Sequence, residues 1–524
     1  MDTQTITTIL VVLFFATMIG IGIYCKKSAS SVDSFVLGGR SVGPWLTAFA
    51  FGTSYFSAVI FVGYAGQFGW NFGVASTWIG LGNAFIGSLL AWNVLGRRTR
   101  LMTQHIDSRT MPDFFEKRYG SKALKTAASI IVFVFLIPYT ASLYNGLSSL
   151  FGIAFDIPYY VCVIVMAVLT GVYVIFGGYM ATAINDFIQG IIMIIGIVAV
   201  IVSTLSSKGG LMASLEGLAT SPNGGWEYSS FFGPDPLALL IVVILTSLGT
   251  WGLPQMVGKF YTIKNESMIQ KGTLISTVFA IIVAGGCYFL GGFGRLFVTP
   301  EQVSEKGFDS IVPTMISSLP PLIVGIVIVL VLAASMSTLS SLVLTSASTL
   351  TLDLIAPLSK KGLDDKKKLL TIRIFIVFFI VLSATIAILK DTVWTGFVFI
   401  AQMMGVSWGA LAGAFLAPFL YGLYWKKVSR PAVWTSFIYG VGLMVVQLLA
   451  SMKVFTLPEG ILSFIFKNSL YSGVFAMVGG LILVPIVTLL TSKHAPQNTD
   501  ELFACYDVKV LVSAKTALDK EHEN

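Results

Sequence analysis

Thirteen apolar runs divide the chain: residues 5–24, 44–71, 74–96, 124–153, 158–177, 183–206, 236–258, 272–294, 313–355, 370–389, 393–424, 431–451 and 468–492. About 20 apolar residues cross the roughly 30 Å hydrocarbon core of a bilayer as a helix. The ninth run is too long for one straight span. It predicts either an approach segment before Pro320-Pro321 or a helix that continues into water. The short alternating segments of an outer-membrane barrel are absent. The pattern therefore predicts an all-α polytopic membrane protein.

Composition agrees. Of 524 residues, 55% are hydrophobic and 11% charged, against about 25% charged in soluble domains. With the N-terminus outside and the C-terminus inside, 27 lysines and arginines fall in inside segments and six in outside ones, which accounts for all 33. That asymmetry is the positive-inside signal. It explains the +8 net charge without nucleic acid. The first run lacks a basic residue before it and has Lys26-Lys27 after it, so it reads as a retained span, not a signal peptide. Phe114, Phe115 and Tyr119, interleaved with charges, predict a short helix at the membrane interface. The tail after Ser492 reads as a mobile cytoplasmic extension.

The four cysteines and three histidines show no metal or redox spacing, and there is no G-x-x-x-x-G-K-[ST] loop. The chemistry lies instead in two polar stretches inside apolar runs. "LAASMSTLSSLVLTSAS" (332–348) carries seven hydroxyls from Ser335 to Ser346 and an eighth at Ser348. Ala334, Ser337 and Thr338 stand at i, i+3 and i+4 and share one helix face, which Ser341 and Thr345 extend. Membrane hydroxyls commonly return to the carbonyl four residues back, which is the competing reading. "FAFGTSYFSA" (49–58) interrupts the second run at Gly52, Thr53, Ser54 and Ser57. A break there would free backbone carbonyls, tolerated at membrane depth only where something binds them. Carbonyls plus hydroxyls make a neutral, all-oxygen site that suits a hard monovalent cation. They do not titrate near neutral pH, so the chemistry points to sodium over protons.

"DSFVLGGRSVGPWLTAFAFGTS" (33–54), "TMPDFFEKRYG" (110–120), "YVIFGGYMATAINDFIQG" (173–190) and "LAASMSTLSS" (332–341) lie in order over about 300 residues. In these the chain resembles the sodium:solute symporter family, above all its bacterial sodium/proline branch. The resemblance implies a LeuT-type fold of two inverted five-helix repeats. Residues 1–30 would form a first helix outside the repeats. Residues 40–206 and 207–430 would form the repeats, 431–492 two further helices and 493–524 a cytoplasmic tail. It implies a sodium site of the main-chain carbonyls of Thr53, Phe56 and Ala334 with the hydroxyls of Ser337 and Thr338. It also makes Asp186, in "TAINDFIQG", a candidate for coupling or inner-gate control; a helix-start cap is the alternative. The sodium/proline branch has an Asp where this chain has Tyr55, which puts proline itself in question.

Candidate solute contacts are Gln67, Asn83, Tyr139, Asn145, Thr250, Trp251, Gln255 and Gln402. Tyr139 matches a solute-side Tyr of the sodium/proline branch. Trp251 and Pro254 interrupt the seventh run, where a second broken helix is expected. With no Glu or Lys read inside the runs, a small amino acid or carboxylate is favoured over a sugar. The expectation is a sodium-coupled symporter of a small organic solute in the plasma membrane, not an enzyme, with sodium as coupling ion and a monomer sufficient for transport. A symporter of another solute, such as pantothenate or a sugar, and an uncoupled uniporter or channel remain the alternatives. Some family members carry fused kinase domains; a tail of about 32 residues has no room for one.

Overall fold

The computed structural model describes residues 3–155, 158–359, 363–392, 400–455, 460–496 and 499–507. Within the bilayer every backbone N–H and C=O must be met inside its own segment, so apolar runs become helices. Among the described residues ten helices are long and apolar enough to cross a membrane, or eleven with a pair bent by 47° at a short break, Pro236–Gly252 and Pro254–Tyr261. Two of these stretches, Val59–His105 and Tyr159–Ser206, each contain a glycine with positive φ, Gly73 (61°) and Gly178 (54°). Neither conformation continues a right-handed helix. Dividing both stretches there gives thirteen segments, numbered below as the thirteen apolar runs were.

Span 9, Pro321–Leu358, is continuous. The segment before it is a separate short helix, Ile311–Ser317. Thirty-eight residues rise about 57 Å, well past the hydrocarbon core, and the helix ends at a highly exposed Leu358. The most hydrophobic window of span 9 is 83% buried and that of span 11 (Gln402–Tyr424) 94%, against 22% for span 1 (Gln4–Lys27). Spans 9 and 11 thus form the centre, and span 1 lies on the lipid side. Spans 11, 12 (Arg430–Ser451) and 13 (Ser469–Leu490) pack at backbone distance. A Cβ at Gly440 would lie 2.4 Å from the Gly413 backbone, the small-residue contact typical of membrane helices.

The basic end is knitted by side chains. The helix Met111–Tyr119 starts at Thr110, whose hydroxyl accepts from Asp113 N (3.1 Å) and donates to Asp353 near the end of span 9 (2.6 Å). Lys125 holds Asp113, Glu116 and Asp353 at 2.9–3.5 Å. This helix does not float at the interface as expected. Phe114, Phe115 and Tyr119 are fully buried, and the rings of Phe114 and Phe115 meet Phe415, Phe419 and Phe437. Their apolar area is better removed from water by the bundle end than by the headgroup layer.

The tail departs from expectation too. Helix Thr499–Phe503 docks on the bundle. Phe503 and Cys505 are buried, the Tyr506 hydroxyl donates to the Arg98 carbonyl (3.2 Å) and Lys426 pairs with Asp500 (2.6 Å). Residues 508–524 lie outside the described residues.

Candidate functional site

Span 2 breaks, but not at Gly52. Helix Pro44–Tyr55 ends at Phe56, whose ψ of 118° is extended. Gly52 serves packing instead: a Cβ there would lie 2.4 Å from the Phe279 ring. Span 9 passes beside the break. Ser337 Oγ lies 3.2 Å from Thr53 O and 3.1 Å from Ala334 O. Thr338 Oγ1 lies 3.3 Å from Thr53 O, 3.3 Å from Phe56 O and 3.1 Å from Ala334 O. All five oxygens named from the sequence therefore meet in one buried nest. Two hydroxyls bring two protons to five contacts, each longer than the 2.5–3.0 Å usual for O–H···O. The nest has more lone pairs than protons, which suits a cation. It holds no carboxylate, which suits a single positive charge. Among the described residues no group of three or more His, Cys, Asp or Glu could hold a metal.

The other hydroxyls of span 9 divide by role. Ser335 donates back to Val331 O (2.8 Å) and Ser340 to Ser337 O (2.9 Å), as membrane hydroxyls commonly do. Ser341 pairs with Ser54 (2.8 Å). Ser341, Thr345, Ser348 and Thr349, at i, i+4, i+7 and i+8, line a cavity of about 60 Å³ with Gln255 and Lys259. The cavity reaches Arg109 and Thr110 at the basic end of the molecule.

Lys259 corrects the sequence reading. The seventh apolar run stops at residue 258, which puts Lys259 among the 27 cations of the inside segments and no Lys inside the runs. The break in span 7 shifts it inward: Leu253 is extended (ψ 120°), and Pro254 opens a new half-helix, Pro254–Tyr261. On that half-helix Lys259 is 3% exposed. Its ammonium donates to Ser341 Oγ (3.0 Å), stands 3.7 Å from Asp186 and lies over the Tyr179 ring. Asp186 is fully buried, well inside the stretch that continues from Gly178 to Ser206. A mid-helix position rules out the cap reading, since caps serve the first turn.

The solute candidates separate. Tyr139 is buried, and its ring meets Trp408 at 6.2 Å; Tyr55 meets the same indole at 5.8 Å. The hydroxyls of Tyr55, Tyr139 and Ser57 and the Trp408 Nε1 are buried without hydrogen-bond partners. Gln255, with both amide atoms unpartnered, faces the inner cavity instead. Thr250 and Trp251 hold the carbonyls of Gly87 (3.3 Å) and Ile86 (3.1 Å) and so pack span 7 on span 3. Asn83 accepts from Ser247 (3.1 Å). Gln67 and Gln402 are partly exposed, and the Gln402 carbonyl accepts from Ser469. The Asn145 side chain lies outside the described residues. Sequence reasoning missed Trp408 and treated Tyr55 only as a missing carboxylate. No local signal marked either, because their shared contact joins spans 2 and 11.

The profile of the sodium:solute symporter family matches residues 35–440. The chain belongs to the sodium:solute symporter family. This is a family of sodium-coupled transporters, not of enzymes, and the chain is a multi-pass protein of the plasma membrane. It is 28% identical over 496 residues to sodium/proline symporter 2 of Staphylococcus saprophyticus, covering 93% of both chains. It is 29% identical over 502 residues to the sodium/proline symporter of Staphylococcus aureus, covering 94% of this chain and 93% of that one. A solved sodium-coupled sialic acid symporter superposes with a TM-score of 0.73 at 17% identity, over 94% of this chain and 98% of that one. At that identity the likeness speaks for the fold, the LeuT type that the sequence motifs implied.

Proposed function

We propose that this symporter couples the entry of one sodium ion to uptake of a small amino acid or carboxylate of the proline type, by alternating access. The observation that carries the reading is the proton-poor nest between the broken span 2 and span 9. A sodium ion there would bind Thr53, Phe56 and Ala334 through carbonyls and Ser337 and Thr338 through hydroxyls, fastening the two spans together. Fastening span 2 also sets Tyr55 and Ser57, which flank Phe56 on the same break, toward Trp408 and Tyr139. Ion binding would in this way preorganise the solute site.

The breaks in spans 2 and 7, five spans apart, support two repeats over 40–206 and 207–430 with the site between them. Asp186 and Lys259 would act as the inner gate. Lys259 sits on the inner half of broken span 7, and its bonds to Asp186 and Ser341 hold that half-helix against spans 6 and 9. The hydroxyl-lined cavity below Ser341 would be the ion's way out. The names of the curated relatives and the unpartnered Tyr139, Tyr55 and Trp408 groups favour a compact solute with a polar head and an apolar ring or chain.

The test is uptake of labelled proline into proteoliposomes under an inward sodium gradient, with potassium as control and other amino acids, carboxylates, pantothenate and sugars as competitors. Accumulation that needs sodium is expected. Equal uptake in sodium and potassium would leave a uniporter.

A further inference from the structure

Beside the docked tail, at the basic end of the molecule, a cleft of about 1280 Å³ opens between helix Met111–Tyr119, the start of span 12 and residues 493–496. Four permanent cations line it: Lys117, Arg118, Arg430 and Lys493. Lys117 is spoken for by Asp113 (3.0 Å). Arg118 is buried and holds the carbonyls of Gly422, Trp425 and Lys426, yet its Nη1 has no hydrogen-bond partner. Arg430 gives its Nε to the Tyr119 carbonyl (2.7 Å). Lys493 and His494 are exposed on the tail side, and the cleft's acid is Glu501. Its net character is cationic.

The other wall is apolar and faces lipid. Trp434 and Ile438 stand one helical turn apart on span 12 and line the cleft. Ile438 is 68% exposed, and Val445 and Leu449 continue the same exposed stripe up the helix. The cleft therefore sits where a lipid-facing stripe runs into a group of cations. The charge asymmetry of the loops places that junction at the cytoplasmic leaflet. A free anion would meet the cations and leave the apolar wall unused. An anionic phospholipid would use both, its phosphate among Arg430, Lys493 and His494 and its upper chains along Trp434 and Ile438.

We propose that this cleft is a binding site for an anionic phospholipid headgroup. Because residues 493–496 and the docked tail form one wall, the bound lipid would brace the tail against spans 11 and 12. The proposal is independent of which solute the symporter carries.

The experiment is native mass spectrometry of the full-length protein in detergent with added phosphatidylglycerol or phosphatidylcholine, with inorganic phosphate as competitor. Wild type should retain phosphatidylglycerol in preference. Each Lys or Arg removed should reduce retention by about fivefold, so Lys493→Gln/His494→Gln, which removes one such cation and a neighbouring donor, should lose most of the preference. Arg430→Gln should do the same, but it also removes the bond to Tyr119. The tail pair, which has no such structural bond, is therefore the deciding variant. Unchanged preference in Lys493→Gln/His494→Gln, or equal retention of both lipids by wild type, overturns the proposal. So does displacement of the lipid by millimolar phosphate, which would mark a free-phosphate site.

Discussion

Lys259 and Asp186 face each other at 3.7 Å in the middle of the bundle, both buried, with Ser341 3.0 Å from the ammonium. The pair joins the second half of broken span 7, Pro254–Tyr261, to spans 6 and 9. Both side chains are buried, so each is the other's main compensation. Breaking a buried pair from one side costs about 3–5 kcal/mol, because the remaining charge is left alone.

Removing one partner should therefore hurt more than removing both. Asp186→Asn is expected to lower thermal stability and slow net uptake. Asp186→Asn combined with Lys259→Met should recover most of the stability but not coupled transport. Melting curves of the two single variants and the double variant, with solute exchange assays beside net uptake, measure this. Additive losses in the double variant would mean that the two side chains do not act as a pair.

Ser337→Ala and Thr338→Ala each remove one hydroxyl from the nest. A bond from a charged group to an oxygen is worth roughly 1.5–3 kcal/mol. The sodium concentration for half-maximal uptake should therefore rise about tenfold or more in each variant. Solute affinity at saturating sodium should change much less. Sodium titrations of initial uptake rate decide it, and wild-type titrations from both variants would rule the nest out as the ion site.

Tyr139 makes a prediction with two opposite signs. Its buried hydroxyl makes no well-formed hydrogen bond, even to its neighbours Ser57 and Trp408, and such a group costs stability when left unmet. Tyr139→Phe should raise the melting temperature of the solute-free protein and, at the same time, raise the KM for solute. Its sodium requirement should stay as in wild type. A variant less stable than wild type with normal KM would make Tyr139 a packing residue.

Stoichiometry follows from the charges around the site. Moving one charge through the membrane potential is worth about 2.3 kcal/mol per 100 mV. A second sodium would need a counter-charge near the first. Position 55 is a tyrosine, and the Asp186 carboxylate is matched by Lys259. One sodium per solute is expected. Reversal potentials of solute flux, measured as the sodium gradient is varied, give the ratio directly; a slope of two would point to an ion beside Asp186.

Much of this was legible in the letters because a membrane imposes simple local rules. Apolar length marked the spans, and loop charge predicts their orientation. Among the described residues ten or eleven helices are long enough to cross a membrane, and dividing two of them at Gly73 and Gly178 gives thirteen segments. Helical spacing put Ser337 and Thr338 on one face with Ala334. The family motifs named Thr53 and Phe56, and the structure brings all five oxygens together.

What the letters could not decide depends on where a helix breaks and what comes to rest beside it. Gly52 looked like the breaking point, but it is small to admit Phe279, and the chain opens four residues later. Lys259 looked like a loop cation by its distance from the apolar run. The bend after Trp251 turns the next half-helix inward and makes it the partner of a carboxylate 73 positions earlier in the chain. Phe114, Phe115 and Phe503 gave the same apolar signal whether bound for lipid, water or protein. Only the packed end of the bundle offered them a place to be buried. Sequence periodicity reports what a segment prefers within a few turns. Which distant segment meets that preference is set by the tertiary fold, because contact energies between spans have no local trace.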